Sequence, residues 1–219
     1  MIVDVPKKME SRGGAGVNEA ARKAVQVFFL LLFIVLLYMG HIQMWLAVFV
    51  TSAALAMVWG RFYCGWICPI NTVTEAATGK IKKPGFRNIP MPALFKSPFF
   101  RYTILLIFIG MFVFIKVSGK AWPVLPVMFL IGVAVSLIFS EKIWHRYLCP
   151  FGTILSLTGG KSRRFLSIDV HRCSRCGICA GVCPGEAVLD AEEGYRVEKK
   201  ECLQCGECIR NCPKEAISF

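Results

Sequence analysis

The sequence predicts two units joined end to end. The first is an α-helical membrane domain of four transmembrane helices, arranged as two repeated hairpins. The second is a small α+β domain built around cysteines. Three observations point there. Hydrophobic residues make up 55% of the 219, and the mean hydropathy is +0.55, more apolar than a soluble domain of this size. The apolar residues gather in long runs between positions 24 and 140, flanked by Lys and Arg. Eight of the 11 cysteines fall between Cys173 and Cys212, in two runs of one spacing. The expected boundaries are a polar tail at 1–23, the membrane domain at 24–164 and the cysteine domain at 165–219.

The tail carries Lys7, Lys8, Arg12, Arg22, Lys23 and the segment Gly13-Gly14-Ala15-Gly16, and is expected to be disordered or to lie on a surface. From Ala24 to Trp59 the chain is apolar for 36 residues. One helix of that length would run ~54 Å at ~1.5 Å per residue, against a bilayer core of ~30 Å. The polar break Gly40-His41-Ile42-Gln43 divides the run into spans at about 24–40 and 42–59. A cleaved signal peptide fits poorly, because no small-residue cleavage site follows and the apolar run continues. Residues 60–98 form a basic, Pro-containing connector with Arg61, Lys80, Lys82, Lys83, Arg87 and Lys96. Two further spans follow at about 99–117 and 122–140. Pro123 and Pro126 fall in the first turns of the last span, where a missing N–H is tolerated. Arg101 and Lys116 lie near the ends of the third span, where long cationic side chains snorkel. Trp45, Trp59, Trp66, Trp122 and Trp144 lie near span ends, as interfacial anchors do.

Charge sets the expected orientation. From Phe165 onward there are seven Lys/Arg against nine Asp/Glu, whereas the rest of the chain holds 19 basic and five acidic residues. The basic excess flanks apolar stretches and forms no single patch, which excludes a nucleic-acid reading and fits membrane topology signals. The tail, the 60–98 connector and the 141–164 segment carry most of it, and the turn at 40–43 carries none. Lys116 and Lys120 are the contrary pair. The positive-inside rule then places both termini, the connector and the cysteine domain on the cytoplasmic side of an inner membrane crossed several times. Cysteine-rich motifs agree with a reducing compartment there.

The two cysteine runs are Cys173, Cys176, Cys179, Cys183-Pro184 and Cys202, Cys205, Cys208, Cys212-Pro213. Both read C-x2-C-x2-C-x3-C-P, the bacterial-type ferredoxin spacing for two [4Fe–4S] clusters. In that pattern the fourth cysteine of each run ligates the other cluster. Cys173, Cys176, Cys179 and Cys212 are thereby assigned to one cluster, and Cys202, Cys205, Cys208 and Cys183 to the second. Zinc knuckles and disulfide frameworks do not produce a tripled step repeated twice. Gly177 and Gly206 are expected to relieve crowding against a cluster, and Ala187-Val188 and Ala216-Ile217 to pack over the two cubes. The repeat step of 29 residues suggests a pseudo-twofold, βαβ-like unit. His171 precedes Cys173 and reads as a shielding or hydrogen-bonding residue near a cluster.

A second constellation lies at the ends of the second and fourth spans. Residues 60–69 contain Arg61, Tyr63, Cys64 and Cys68-Pro69; residues 141–150 contain Lys142, Trp144, His145 and Cys149-Pro150. At an offset of 81, Cys68 falls on Cys149, Pro69 on Pro150, Arg61 on Lys142, Tyr63 on Trp144 and Thr72 on Thr153, which reads as a duplicated two-helix unit. Both Cys-Pro corners are expected at the cytoplasmic face, where their side chains can converge. R-x-x-C-x-x-x-C-P corners followed by a double ferredoxin unit resemble the NapH/NosR-like family of membrane polyferredoxins, and CcoG/FixG-type proteins share the theme. In family members whose second corner also reads C-x3-C-P, the position held here by His145 is cysteine. Cys64, Cys68, Cys149 and His145 are therefore candidate ligands of a third iron–sulfur centre at the membrane surface, since imidazole replaces thiolate in some centres. A mononuclear metal site, or no metal, are the alternatives.

What the resemblance implies is electron transfer between a quinone pool, or another membrane donor, and redox partner proteins, with the chain as an electron-carrying subunit of a larger complex. The rival reading, after the CcoG/FixG group, is an accessory protein for metal-centre assembly or metal reduction. His41, beside Gln43 and Trp45 at the hairpin turn, could meet a quinone head group, although such a residue more often caps a turn. No C-x-x-C-H and no G-x-G-x-x-G after a strand occur, which argues against covalent haem and a nucleotide domain. The apolar runs show no chain of Asp/Glu for carrying protons, so an ion pump is not expected.

Overall fold

The computed structural model describes residues 18–80, 97–118, 123–139 and 141–219. The tail up to residue 17 and most of the basic part of the connector, with Trp122 and Lys120, lie outside the described residues.

Four long apolar helices appear where apolar runs were expected: α1 (Glu19–Tyr38), α2 (Met44–Trp59), α5 (Pro98–Ser118) and α6 (Val124–Ile138). Helix α1 and Pro98–Ile115 of α5 are long and apolar enough to cross a membrane, while α2 and α6 are shorter apolar helices. Helix α1 begins five residues earlier than the expected span. Asn18 is its N-cap, accepting from Ala20 and Ala21 N–H, and Glu19 sits in the first turn, where both satisfy the exposed amide dipoles. Residues 19–23 therefore belong to a helix and not to a disordered tail. At the other end Gly40 turns the chain at φ +73°, the left-handed conformation in which glycine ends helices.

The connector is helical at its start, contrary to the expectation of a mere link. The short α3 (Phe62–Trp66) leads to α4 (Pro69–Lys80). After α6 the matching path is α7 (Glu141–Ile143), a π-turn at Trp144–Leu148, and α8 (Pro150–Gly159). Cys68 N–H reaches back to Tyr63 C=O at 2.9 Å, and Cys149 N–H to Trp144 C=O at 2.9 Å. Both bonds span five residues and widen the turn before the proline. Thr72 and Thr153 hydroxyls each donate at 3.1 Å to the carbonyls of Cys68 and Cys149. The repeat seen at an offset of 81 is thus built into the backbone.

The two halves interlock. Helix α4 packs against α1 and α6, and α8 against α5 and α2, so each returning helix lies between its own first helix and the other half's second. Small residues allow this. On α6, Gly132 accepts the edge of the Trp144 ring and Ile70, and Ser136 is buried one turn on; on α2, Ser52 and Ala56 are buried on the face that carries Phe49. Small faces let helices in a bundle approach closely. Opposite faces are apolar and exposed, with Phe28 and Leu31 on α1, Val50 and Met57 on α2, Leu106 and Phe114 on α5, and Leu130 on α6.

Strands β1 (Ser167–Ile168), β2 (Val188–Ala191), β3 (Gly194–Val197) and β4 (Ile217–Ser218), with short helices α9 (Ile178–Gly181) and α10 (Glu207–Arg210), form the C-terminal module. Each half has the β–α–β order expected of it. The pairing differs from a βαβ unit, however: β1 pairs antiparallel with β4, and β2 antiparallel with β3. A tight turn at 192–193 forces β2 and β3 into a hairpin, whereas parallel strands need a long crossover.

Candidate functional site: two cysteine cavities and a buried cysteine corner

Each cysteine loop of the C-terminal module is shaped by left-handed residues. Arg175 and Gln204 have φ of 55° and 54°, Gly177 and Gly206 both 74°, Glu186 and Glu215 48° and 49°. All three pairs are 29 apart, so the strain repeats with the cysteines. Alternating hand turns successive N–H groups inward and makes an anion-binding concavity of the kind found at iron–sulfur sites. The glycines thus serve a conformational need before any relief of crowding: they stand at the N-termini of α9 and α10.

Two cavities result. One is lined by Cys173, Cys176, Cys179 and Cys212, the other by Cys183, Cys202, Cys205 and Cys208. Ala187-Val188 line the second and Ala216-Ile217 sit against the first, all four buried. Their backbone also contributes, because Ala187 N–H donates to Cys183 Sγ at 3.3 Å and Ala216 N–H to Cys212 Sγ at 3.4 Å. Such bonds steady a thiolate. Burial pushes the free thiols of Cys179 and Cys202 up to about 11, so a metal must displace protons to bind them. Four thiols around one cavity, in a loop of inward amides, fit a cubane. His171 itself is exposed.

The corner cysteines are shielded from solvent between the helices and the C-terminal module. Cys64, Cys68 and Cys149 are all buried, in a cluster with Phe33, Trp45, Phe49 and Leu155. Helix α8 starts deep: Phe151 in its first turn meets Phe49 midway along α2 at 4.7 Å, while Gly159 at its end lies against Gly60 beyond α2. The Cys-Pro turns therefore descend into the bundle before the chain returns. His145 is buried too, and its Nε2 has no hydrogen-bond partner. Among the described residues no three His, Cys, Asp or Glu side chains converge closely enough for a single metal ion. Trp45, Trp66 and Trp144 depart from the anchoring expectation, whereas Trp59 is exposed. Trp45 donates to the Tyr63 hydroxyl at 2.9 Å and Trp66 to Gln204 C=O at 3.0 Å, and both Trp45 and Trp144 are core residues.

Between the two sites lies a polar interface that the sequence did not announce. Arg61, with no solvent exposure, pairs with Glu201 at 2.6 Å and donates to His145 C=O at 3.0 Å. Arg101 does not snorkel: it pairs with the same carboxylate at 2.6 Å, which also accepts from Ser156 at 2.9 Å. Burial alone would raise the Glu201 carboxyl, but the two guanidiniums outweigh it and hold it below the usual range. Arg22 is held by Glu75 at 2.6 and 3.0 Å and reaches Glu207 at 3.4 Å; Arg146 meets Glu198 at 3.3 Å. Three of the module's nine acidic residues, Glu198, Glu201 and Glu207, are thus paired with arginines of the helical unit. Gly65, between two corner cysteines, lies so close to the Leu203 carbonyl that a Cβ would collide with it.

Comparison with known proteins matches this geometry. Residues 41–84 and 122–169 match the profile of a 4Fe-4S binding domain, two segments whose starts are 81 residues apart, and residues 149–217 match a 4Fe-4S dicluster domain. The ferredoxin-type protein NapH of Haemophilus influenzae is 30% identical over 154 residues, covering 61% of this chain and 51% of the relative. In these matches the chain resembles the NapH/NosR-like polyferredoxins. The methylamine utilization ferredoxin-type protein MauN of Methylorubrum extorquens is 27% identical over 149 residues, 61% of this chain and 50% of the relative. The regulatory protein NosR of Stutzerimonas stutzeri is 29% identical over 167 residues, 64% of this chain and 22% of the relative. The chain spans about half the length of NapH and MauN and a smaller share of NosR. No solved structure matches it.

Proposed function

We propose that this chain is a membrane-bound electron carrier, passing electrons between a quinone pool or membrane redox subunit and a soluble or complex-bound partner. The observation that carries the reading is the docking of a module with two four-cysteine cavities, through buried ion pairs, onto apolar helices whose core holds three more cysteines. Helices α1, α2, α5 and α6 are the four spans, both termini face the cytoplasm, and the module lies on that side. Cys173, Cys176, Cys179 and Cys212 hold one [4Fe–4S] cluster, and Cys183, Cys202, Cys205 and Cys208 the other. Cys64, Cys68, Cys149 and His145 would hold a third centre at the membrane surface, where the helices meet the module. When bound, a cubane supplies a delocalised site for one electron with little nuclear rearrangement.

The chain's own residues do the rest. Ala187 and Ala216 amides hold sulfur, apolar side chains keep water away, and the arginine–glutamate contacts fix the module so that the distance between sites stays constant. The test is anaerobic iron and acid-labile sulfide analysis with an EPR redox titration of wild type and Cys149→Ala. Two ferredoxin-like signals and a third lost in the variant are expected. Two signals unchanged by the variant would remove the corner from the electron path.

A further inference from the structure

The two cysteine loops are close repeats, yet their surroundings are not. At the step of 29, Glu207 and Arg210 correspond to Ile178 and Gly181, so this charged pair beside the second cavity has no counterpart at the matching positions of the first, whose lining carries the exposed Lys214 instead. Glu207 lines that second cavity with Cys205 and Gly206. It pairs with Arg210, whose guanidinium also donates to Cys205 C=O at 3.3 Å. The further cation comes from outside the module. Arg22, on α1, is 1% exposed, locked by two hydrogen bonds to Glu75, and 3.4 Å from Glu207.

We propose that Arg22 is a positioning residue of the helical bundle that raises the reduction potential of the cluster in the Cys183, Cys202, Cys205 and Cys208 cavity, making the two clusters inequivalent. The inference rests on the cluster assignment above. Reduction adds one negative charge to a cluster, and a fixed, buried cation at its rim stabilises that charge more than water would. Glu75 opposes it, holding the guanidinium in place while cancelling part of its field. Among the described residues the cations near the other cavity are exposed: Lys214 lines it from the surface, and Arg175, 52% exposed, is turned to Asp190 and Ala191 C=O, so solvent screens both.

Two variants that break the same ion pair separate electrostatics from structure. In an EPR redox titration of the full chain, Arg22→Gln is expected to lower the midpoint of one cluster, and Glu75→Gln to raise the midpoint of that same cluster. Each shift should be on the order of tenfold in the one-electron reduction equilibrium, or ~59 mV. The other cluster stays at its wild-type value, and Arg22→Lys restores most of the Gln loss. A merely structural role would move both variants the same way. Shifts of one sign, equal shifts in both clusters, or no shift would overturn the proposal. If Arg22→Gln fails to assemble, Glu75→Gln alone still decides, since a fall or no change overturns it. Absence of two cluster signals from the wild type would instead sink the underlying assignment.

Discussion

Glu201→Gln is the sharpest test of how the module is held. The carboxylate is 4% exposed and accepts from Arg61, Arg101 and Ser156, with Arg61 fully buried and Arg101 nearly so. The substitution keeps the volume and removes the charge, leaving two guanidiniums desolvated without a counter-ion. Removing one partner of a buried pair costs about 3–5 kcal/mol, most of it the stranded charge. Glu198→Gln is the internal control, because its Arg146 contact is 3.3 Å long and both side chains are partly exposed; such pairs contribute ~0–1 kcal/mol. Urea unfolding of the detergent-solubilised chain, followed by visible cluster absorbance and by protease accessibility of the 160–166 segment, measures both. Glu201→Gln should undock the module at clearly lower urea than Glu198→Gln. Indistinguishable midpoints would refute the claim that this carboxylate organises the interface.

Other perturbations follow from single contacts. Gly65→Ala places a methyl against the Leu203 carbonyl and the Cys205 backbone, none of it flexible, so docking should lose about 1–3 kcal/mol by overpacking, read by the same urea series. Gly110→Ala on α5 meets nothing within 4 Å; it should be neutral or stabilising by up to ~1 kcal/mol, measured by thermal melting. Tyr63→Phe leaves the buried Trp45 indole N–H without its 2.9 Å partner, at about 1–3 kcal/mol, and a blue-shifted, broadened tryptophan fluorescence difference on melting would report it. Removing iron with a chelator under anaerobic conditions should unfold the 165–219 module while the helical circular dichroism of α1, α2, α5 and α6 persists, because metal binding and folding of such loops are one equilibrium.

Much of this protein is legible in its sequence because the determinants are local. The C-x2-C-x2-C-x3-C-P runs, the 29- and 81-residue repeats and the apolar runs each act through residues close in the chain, so spacing alone reports them. The limits of the four apolar helices lie within a few residues of those expected except at α1, where the capping of Asn18 and the burial of Arg22 extend the helix. Tertiary structure decided the rest. The depth of Cys68 and Cys149 depends on α4 and α8 packing against helices of the opposite half, a long-range choice with no local mark. Arg61, Arg101 and Arg22 look in sequence like topology signals, since a lone cation near a span end reads the same whether it faces solvent or a carboxylate. Only the fold brings Glu201, Glu207 and Glu75 to them, and burial then turns ordinary surface charges into the contacts that hold the two units together.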